Sequence, residues 1–182
     1  MKKWVKILLW ILVTVILATV CFFGYSYYNY VGKFPEDKKK YPHYIGYITQ
    51  EKALLNDINK LCDKERIYFT YNGAAFRAFE VNKKYFRETI LAEYQNKGYT
   101  DSGYLNFRFL VNCEGKPGWF EIIQMNLDLE VTELNSEMVN QLLKLTSKPK
   151  HWANLNYEGK PIDYYMYISY RIENGNIVEI LP

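Results

Sequence analysis

The first 25 residues hold a long uncharged run, and the last 80 alternate strand-like between apolar and polar. Residues 7–25, ILLWILVTVILATVCFFGY, carry no charge over 19 positions. A helix of that length spans ~28 Å, close to the ~30 Å hydrocarbon core of a bilayer, so the pattern predicts a membrane anchor. Lys2, Lys3 and Lys6 precede it, which favours a cytoplasmic N-terminus. Phe22, Phe23, Tyr25, Tyr27 and Tyr28 gather at its far end, as an interfacial aromatic belt does. A cleaved signal peptide competes with this reading, but its apolar region is shorter and ends in small residues, where this run ends in bulky aromatics. Lipidation at Cys21 is a third reading, against which stands the larger Val20 before it.

Residues 26–47 are polar and aromatic, with Pro35, Lys38, Lys39, Lys40 and Pro42 and no period, and read as a tether. Fully extended they reach at most ~75 Å. Leu54, Leu55, Ile58, Leu61 and Cys62 then recur on one face of a 3.6-residue period and predict a first helix. IYFTY (67–71) predicts a short strand ended by the Asn72-Gly73 turn pair, and a second strand is expected through 77–81. Asn82 is the expected N-cap of a helix carrying Tyr85, Phe86, Ile90, Leu91 and Tyr94 and ending near Gly98.

Leu105, Phe107, Phe109, Val111 and Cys113 alternate with Tyr104, Asn106, Arg108, Leu110 and Asn112, the period-2 pattern of a half-buried strand. EGKPG (114–118) is turn chemistry, and 119–131 again reads as strand, with Ile123, Met125, Leu127, Leu129 and Val131 on one side and a bulge or break expected near Asn126. Asn135 or Ser136 caps a helix with a stripe of Met138, Val139, Leu142, Leu143 and Thr146, stopped by Pro149. The last long strand, 162–172, puts Tyr164, Met166, Ile168, Tyr170 and Ile172 on one face and Asp163, Tyr165, Tyr167, Ser169 and Arg171 on the other. Asn174-Gly175 is the preferred pair for a two-residue hairpin, so 177–181 folds back antiparallel.

Charge narrows the function classes. Of 23 basic residues seven precede Tyr41, with two of the 20 acids, which leaves the rest at a net of about −2 without a basic stripe. Phosphate affinity rests on clustered Lys and Arg, so a nucleic-acid partner is set aside. The chain has two His, His43 and His151, and no closely spaced group of His, Cys and acids of the kind that holds zinc, so neither a metal nor another cofactor is expected. Cys113 with His151 as a thiol-based catalytic pair is outweighed by Cys113's place on the apolar strand face. No catalytic residues or small-molecule substrate are identified, and the chain reads as a non-enzyme.

Cys62 and Cys113 lie beyond the anchor, in an oxidising compartment on this topology, and form either a disulfide or two separate buried thiols. Glu133 and Glu137 flank a helix start, where the dipole favours them, and Asp128 and Glu130 read as a solvated face. Tyrosine, at 18 residues, crowds both faces of the last long strand, which suits either a binding surface or ordinary strand packing.

The order strand, EGKPG turn, strand, helix, Trp152, Gly159-Lys160-Pro161 and final long strand resembles the C-terminal domain of TonB-like energy-transducer proteins. The matching pieces are FRFLVNCEGKPGWFEI (107–122), the helix around 139–145, Trp152 and 159–161. The span, with Thr14 and Thr19 but no His, lacks the polar motif ending in His by which energy transducers engage a proton-driven motor. The tether lacks their long Pro-rich spacer.

The resemblance implies an α+β protein. Its N-terminal transmembrane signal anchor covers 1–25, a tether 26–47, and an exported domain 48–182 with its TonB-like core at 104–182. That domain is expected to be a small antiparallel sheet packed on two or three helices. Its place is the inner membrane as a single-pass protein, with the domain in the periplasm or extracytoplasmic space. The implied function is binding an envelope protein or peptide strand by sheet-edge pairing, with a link to transmembrane transport. The partner-binding residues on the last long strand are Tyr165, Tyr167, Ser169 and Arg171, and 177–181 either moves from that edge or blocks it. The other reading is a scaffolding accessory of the envelope with no transport role.

Overall fold

The computed structural model describes residues 3–32, 48–57, 60–63, 65–71 and 74–182. The chain divides into two compact units, Met1–Gly46 and Tyr47–Pro182. In the first, helix α1 (Lys3–Tyr27) runs on into a π-helical turn, Tyr28–Gly32. The stretch Lys3–Tyr30 is long and apolar enough to cross a membrane. Its two threonines are satisfied within the helix: the Thr14 and Thr19 hydroxyls each donate to the carbonyl four residues back, at 2.9 Å. Hydrocarbon offers no other partner, so this is the arrangement a lipid-facing helix needs. The helix thus takes the first residues expected of the tether, whose remainder, 33–47 with the lysine run and His43, lies outside the described residues.

The second unit is built on one sheet. Its strands are β1 (Ile67–Phe69), β2 (Gly103–Val111), β3 (Pro117–Met125), β6 (Asp163–Glu173) and β7 (Asn176–Leu181), and a separate two-stranded ladder joins β4 (Asn156–Tyr157) to β5 (Lys160–Pro161). The spatial order is β1-β6-β2-β3, with β7 also on β6. β1 runs parallel to β6 and every other pair is antiparallel, so the sheet is mixed where a purely antiparallel one was expected.

One face carries the main core. α2 (Lys83–Glu93) starts at Asn82, whose side chain accepts from Tyr85 N at 2.8 Å. α3 (Ser136–Thr146) starts at Asn135, which accepts from Glu137 N and Met138 N. Phe86 and Ile90 of α2 and Met138, Val139, Leu142 and Leu145 of α3 pack with Trp152 on Leu105, Phe107, Phe109, Phe120, Tyr164, Met166, Ile168, Tyr170 and Ile172. This is the face that period-2 alternation marks on β2 and β6.

Two of the crowded tyrosines of β6, Tyr164 and Tyr170, serve that packing, and Tyr165 is buried on the opposite face. Tyr164, Tyr165 and Tyr170 are fully buried. The Tyr164 hydroxyl donates to Ala153 O at 2.8 Å, and that of Tyr170 shares a 2.7 Å hydrogen bond with Thr146. Burial pushes both phenols well above the usual tyrosine range.

Three predicted elements take other forms. The helix expected near residue 54 is a 3-10 turn, Gln50–Lys52, followed by an extended bridge. Leu54 exchanges two 2.9 Å backbone hydrogen bonds with Phe120, and Leu55 has φ +55°. An isolated helix this short is marginal, whereas the open edge of β3 offers backbone partners at once. Ile58 of that expected helix lies outside the described residues, as does the Asn72-Gly73 turn.

The strand expected over 77–81 is a 3-10 turn, Ala74–Arg77, and a single bridge from Phe79 to Trp152. The strand expected over 119–131 ends at Met125. Asn126 closes a turn there, its side chain accepting from Asp128 N and Glu130 N. Opposite β2, β3 takes three residues where β2 takes two, between Arg108 and Leu110. Trp119, at φ +53°, lies in that bulge. Phe120 and Ile122 therefore face the main core, while Ile123 and Met125 lie half-exposed on the opposite face.

Candidate functional site

The last long strand sets the geometry. β2 lies along one edge of β6, from Tyr164 to Ile172. The other edge is shared: β1 pairs with Asp163, Tyr164 and Tyr165, and β7 pairs with 169–173. Only Met166, Tyr167 and Ile168 are left without a strand on that side among the described residues. With β1 and β7 on either side of those three positions, most of the edge expected to receive a partner is covered by the chain itself.

Both covers are pinned. Tyr94 Oη donates to Gly175 O at 2.6 Å at the turn before β7, Gly175 N donates to Asp101 O at 2.8 Å, and Asn174 N to Ser102 Oγ at 2.9 Å. Burial pushes the Tyr94 phenol up to about 12, helped by Tyr99 and Asp101, so it stays a donor. Asn174 and Gly175 both have positive φ, +48° and +71°, as a two-residue hairpin turn requires.

At the other end, Ile48, Ala53, Leu110, Trp119 and Tyr165 form a second buried cluster on the sheet's opposite face, with Leu61, Ile67 and Tyr71 packed against it. Tyr165 was expected to face outward for a partner. It is instead fully buried, and its hydroxyl accepts from Ile48 N at 3.3 Å. Ile48, Ala53, Leu61, Ile67 and Tyr71 thus cover that half of the face and exclude water from it.

The remaining expected residues share the half-exposed part of that face. Tyr167 lies opposite Arg108, and its ring meets that of Tyr71 edge-on at 5.3 Å. Burial raises the Tyr71 phenol, with Arg108 opposing. Arg108, itself buried, pairs with Glu121 at 3.1 Å. Ser169 Oγ donates to Asn106 Oδ1 at 2.6 Å, and Arg171 pairs with Glu173.

A tighter constellation lies where the covering segment joins the sheet. Cys62 and Cys113 are joined as a disulfide, Cα atoms 6.2 Å apart. The first residue of β6, Asp163, is fully buried beside them. Its Oδ2 accepts from Cys62 N at 2.8 Å and Asp63 N at 2.9 Å, and its Oδ1 accepts from Cys113 N at 2.9 Å. A buried carboxylate is held by charge-assisted hydrogen bonds of this kind. One ligand-capable atom from each of Cys62, Cys113 and Asp163 lies within 4.8 Å of the others. Cys62 is exposed and lines a cleft of about 330 Å³ with Asp63, Arg66, Tyr68, Tyr157 and Lys160, where Arg66 lies over the Tyr68 ring at 5.0 Å.

Sequence spacing missed this constellation, because 50 residues separate Cys113 from Asp163 and 101 separate Cys62 from it. One signal was available: an acid at the first position of a strand otherwise rich in buried aromatics.

His151 is brought to no thiol that could act with it, since Cys113 is bonded to Cys62. It is 2% exposed, with its ring edge-on to Phe86 at 5.2 Å, and neither ring nitrogen has a hydrogen-bond partner among the described residues. Burial lowers its pKa to about 4, and Lys150 adds to the shift. It is a neutral core side chain.

Comparison with known proteins finds no family model, no curated protein and no solved structure that matches this chain.

Proposed function

We propose that this chain is a single-span envelope protein of the inner membrane, anchored by α1, whose outward-facing α+β domain binds a partner protein by pairing with a sheet edge. The observation that carries the reading is β7. It pairs with β6 on one side and with no strand on the other among the described residues. Val178 and Leu181 are exposed along it, at 51% and 39%. An edge strand with free backbone groups and exposed aliphatic side chains is the usual template for an added strand. The partner strand therefore adds to β7, and the half-exposed Tyr167, Ser169 and Arg171 flank that addition instead of receiving it.

The likeness in element order to TonB-like domains supports the same reading and a link to transmembrane transport. The span without His argues against driving transport. A binding module suits the domain better than an enzyme, because the thiol and imidazole weighed as a catalytic pair, Cys113 and His151, are divided between a disulfide and the core.

Proline scanning of β7 in the full-length protein tests the reading. In a strand the N–H of one residue points to one neighbour and that of the next points to the other. Of Glu179→Pro and Ile180→Pro, on the regular stretch past the bulge at Val178, the one that removes an outward N–H abolishes in-cell crosslinking to a partner and lowers the thermal midpoint no more than alanine at the same position does. The one that removes an N–H facing β6 lowers the midpoint. Crosslinks that persist in both variants, or none to any envelope protein in the parent, defeat the proposal.

A further inference from the structure

We infer that Cys62, Cys113 and Asp163 form a redox-gated site for a thiophilic divalent ion such as Zn²⁺: a disulfide when oxidised, a Cys₂Asp metal site when reduced. The three groups come from three chain segments, the stretch before β1, the turn after β2 and the start of β6, and they converge within 4.8 Å. Tetrahedral zinc with Zn–S of ~2.3 Å and Zn–O of ~2.1 Å sets its ligand atoms ~3.5–3.8 Å apart, so the cluster reaches that geometry by small side-chain rotations.

The carboxylate is already aimed. Oδ1 accepts one N–H, from Cys113, and each carboxylate oxygen has two lone pairs, so Oδ1 keeps one for a metal. The backbone donors that hold Asp163 are those of the two cysteines, so the ligand set is oriented by its own main chain. Cys113 and Asp163 are buried and Cys62 is exposed at the cleft of about 330 Å³. That places a closed wall behind the ion and an open path for its entry and for a water as fourth ligand.

The chemistry balances. A dithiol supplies two electrons and two protons and becomes a disulfide, or a phosphine supplies two electrons and becomes its oxide with oxygen and two protons from water; either way the S–S bond breaks and two thiols form. The ion then displaces one proton from each thiol and binds two thiolates and the carboxylate. Because the ligands lie on the same segments that the disulfide joins, the bound ion restores the cross-link that reduction removes. It keeps the stretch before β1 closed over Tyr165 and the adjoining edge of β6.

The test uses the full chain in detergent with Cys21→Ser, since Cys21 is the remaining free thiol. The phosphine-reduced protein is titrated with Co²⁺ and then Zn²⁺. The expected result is one ion per chain, a thiolate-to-cobalt charge-transfer band, two protons released, and a thermal midpoint raised by Zn²⁺. The oxidised protein shows none of these. Cys62→Ser, an exposed position that also lacks the disulfide, keeps one thiolate, so the band falls to half or less and binding weakens by roughly tenfold or more. If reduction alone unfolds the domain, Zn²⁺ refolds it, as read by circular dichroism. No band and no gain in midpoint, equal binding by the oxidised protein, undiminished binding by Cys62→Ser, or no refolding by Zn²⁺ each overturns the inference.

Discussion

The Asp163 carboxylate receives the Cys113 backbone N–H at 2.9 Å, and both residues are buried at the corner where the covering segment meets the sheet. Two more N–H groups, of Cys62 and Asp63, converge on the same carboxylate. One side chain therefore holds the turn after β2 and the stretch before β1 against the start of β6. That joint keeps β1 on the edge of β6 and Tyr165 under cover.

Asp163→Ala removes the shared acceptor and leaves three N–H groups in protein without it. Charge-assisted hydrogen bonds and stranded buried donors together put the loss at about 3–5 kcal/mol of unfolding free energy. Urea titration with the disulfide intact measures it. A loss under about 1 kcal/mol means that water replaces the carboxylate and the joint is weaker than its geometry implies.

The disulfide closes a sequence separation of 51 residues. Loop-closure entropy for that length gives about 4 kcal/mol of stabilisation, with measured disulfides commonly at 2–4 kcal/mol. In metal-free buffer with chelator, Cys113→Ala and the reduced parent are expected to lose stability by similar amounts. Amide exchange at β1 should rise before exchange at β2. Equal rises in both strands would show that the bond stabilises the whole sheet and not the covering segment.

Protonation of His151 works against the fold. Its folded pKa, about 4, lies below its ordinary 6.5, so the unfolded chain binds the proton first. Stability is complete above pH 6.5 and falls as pH drops toward 4, by about 3 kcal/mol across that window. Glu93, lowered to about 2 by hydrogen bonds from Lys148 and Lys150, acts in a lower window, its contribution fading as pH falls from 4.5 toward 2. His151→Phe should flatten the pH 4–6.5 slope of the unfolding free energy and leave the lower one. An unchanged upper slope would assign it to other groups.

Gly175 at the β6–β7 turn has φ +71°, and a Cβ there would run into the backbone carbonyl of Tyr99. Gly175→Ala combines left-handed strain with a backbone clash, and is expected to cost about 2 kcal/mol or more. Hydrogen exchange should show β7 loosening ahead of the main core. If pairing at β7 recruits the partner, crosslinking falls with it. Wild-type exchange in β7 would mean that the turn shifts to admit the methyl.

Local pattern made much of this architecture legible. Leu105, Phe107, Phe109 and Val111 on β2, and Tyr164 to Ile172 at every second position on β6, all face the main core as alternation requires. Asn82 and Asn135 cap the helices they were expected to cap, and Asn174-Gly175 turns the chain back antiparallel. These features depend on neighbours within a few residues, where periodicity, capping and turn chemistry act.

Contacts between distant residues decided the rest. The amphipathic period around Leu54 lost to backbone bonding with Phe120, and one extra residue at Trp119 set the facing of β3. Packing of Ile48, Ala53 and Ile67 buried Tyr165, pairing of β1 closed the first three positions of the β6 edge, and Cys62 came beside Cys113 and Asp163. The amino-acid sequence by itself determined an apolar N-terminal helix, an α+β domain and the inward face of its two longest strands, because those follow from spacing along the chain. Only the tertiary structure decided which strand edge is open and where the cysteines meet a carboxylate. Both depend on which distant segment reaches an unpaired backbone edge first, and no local period encodes that.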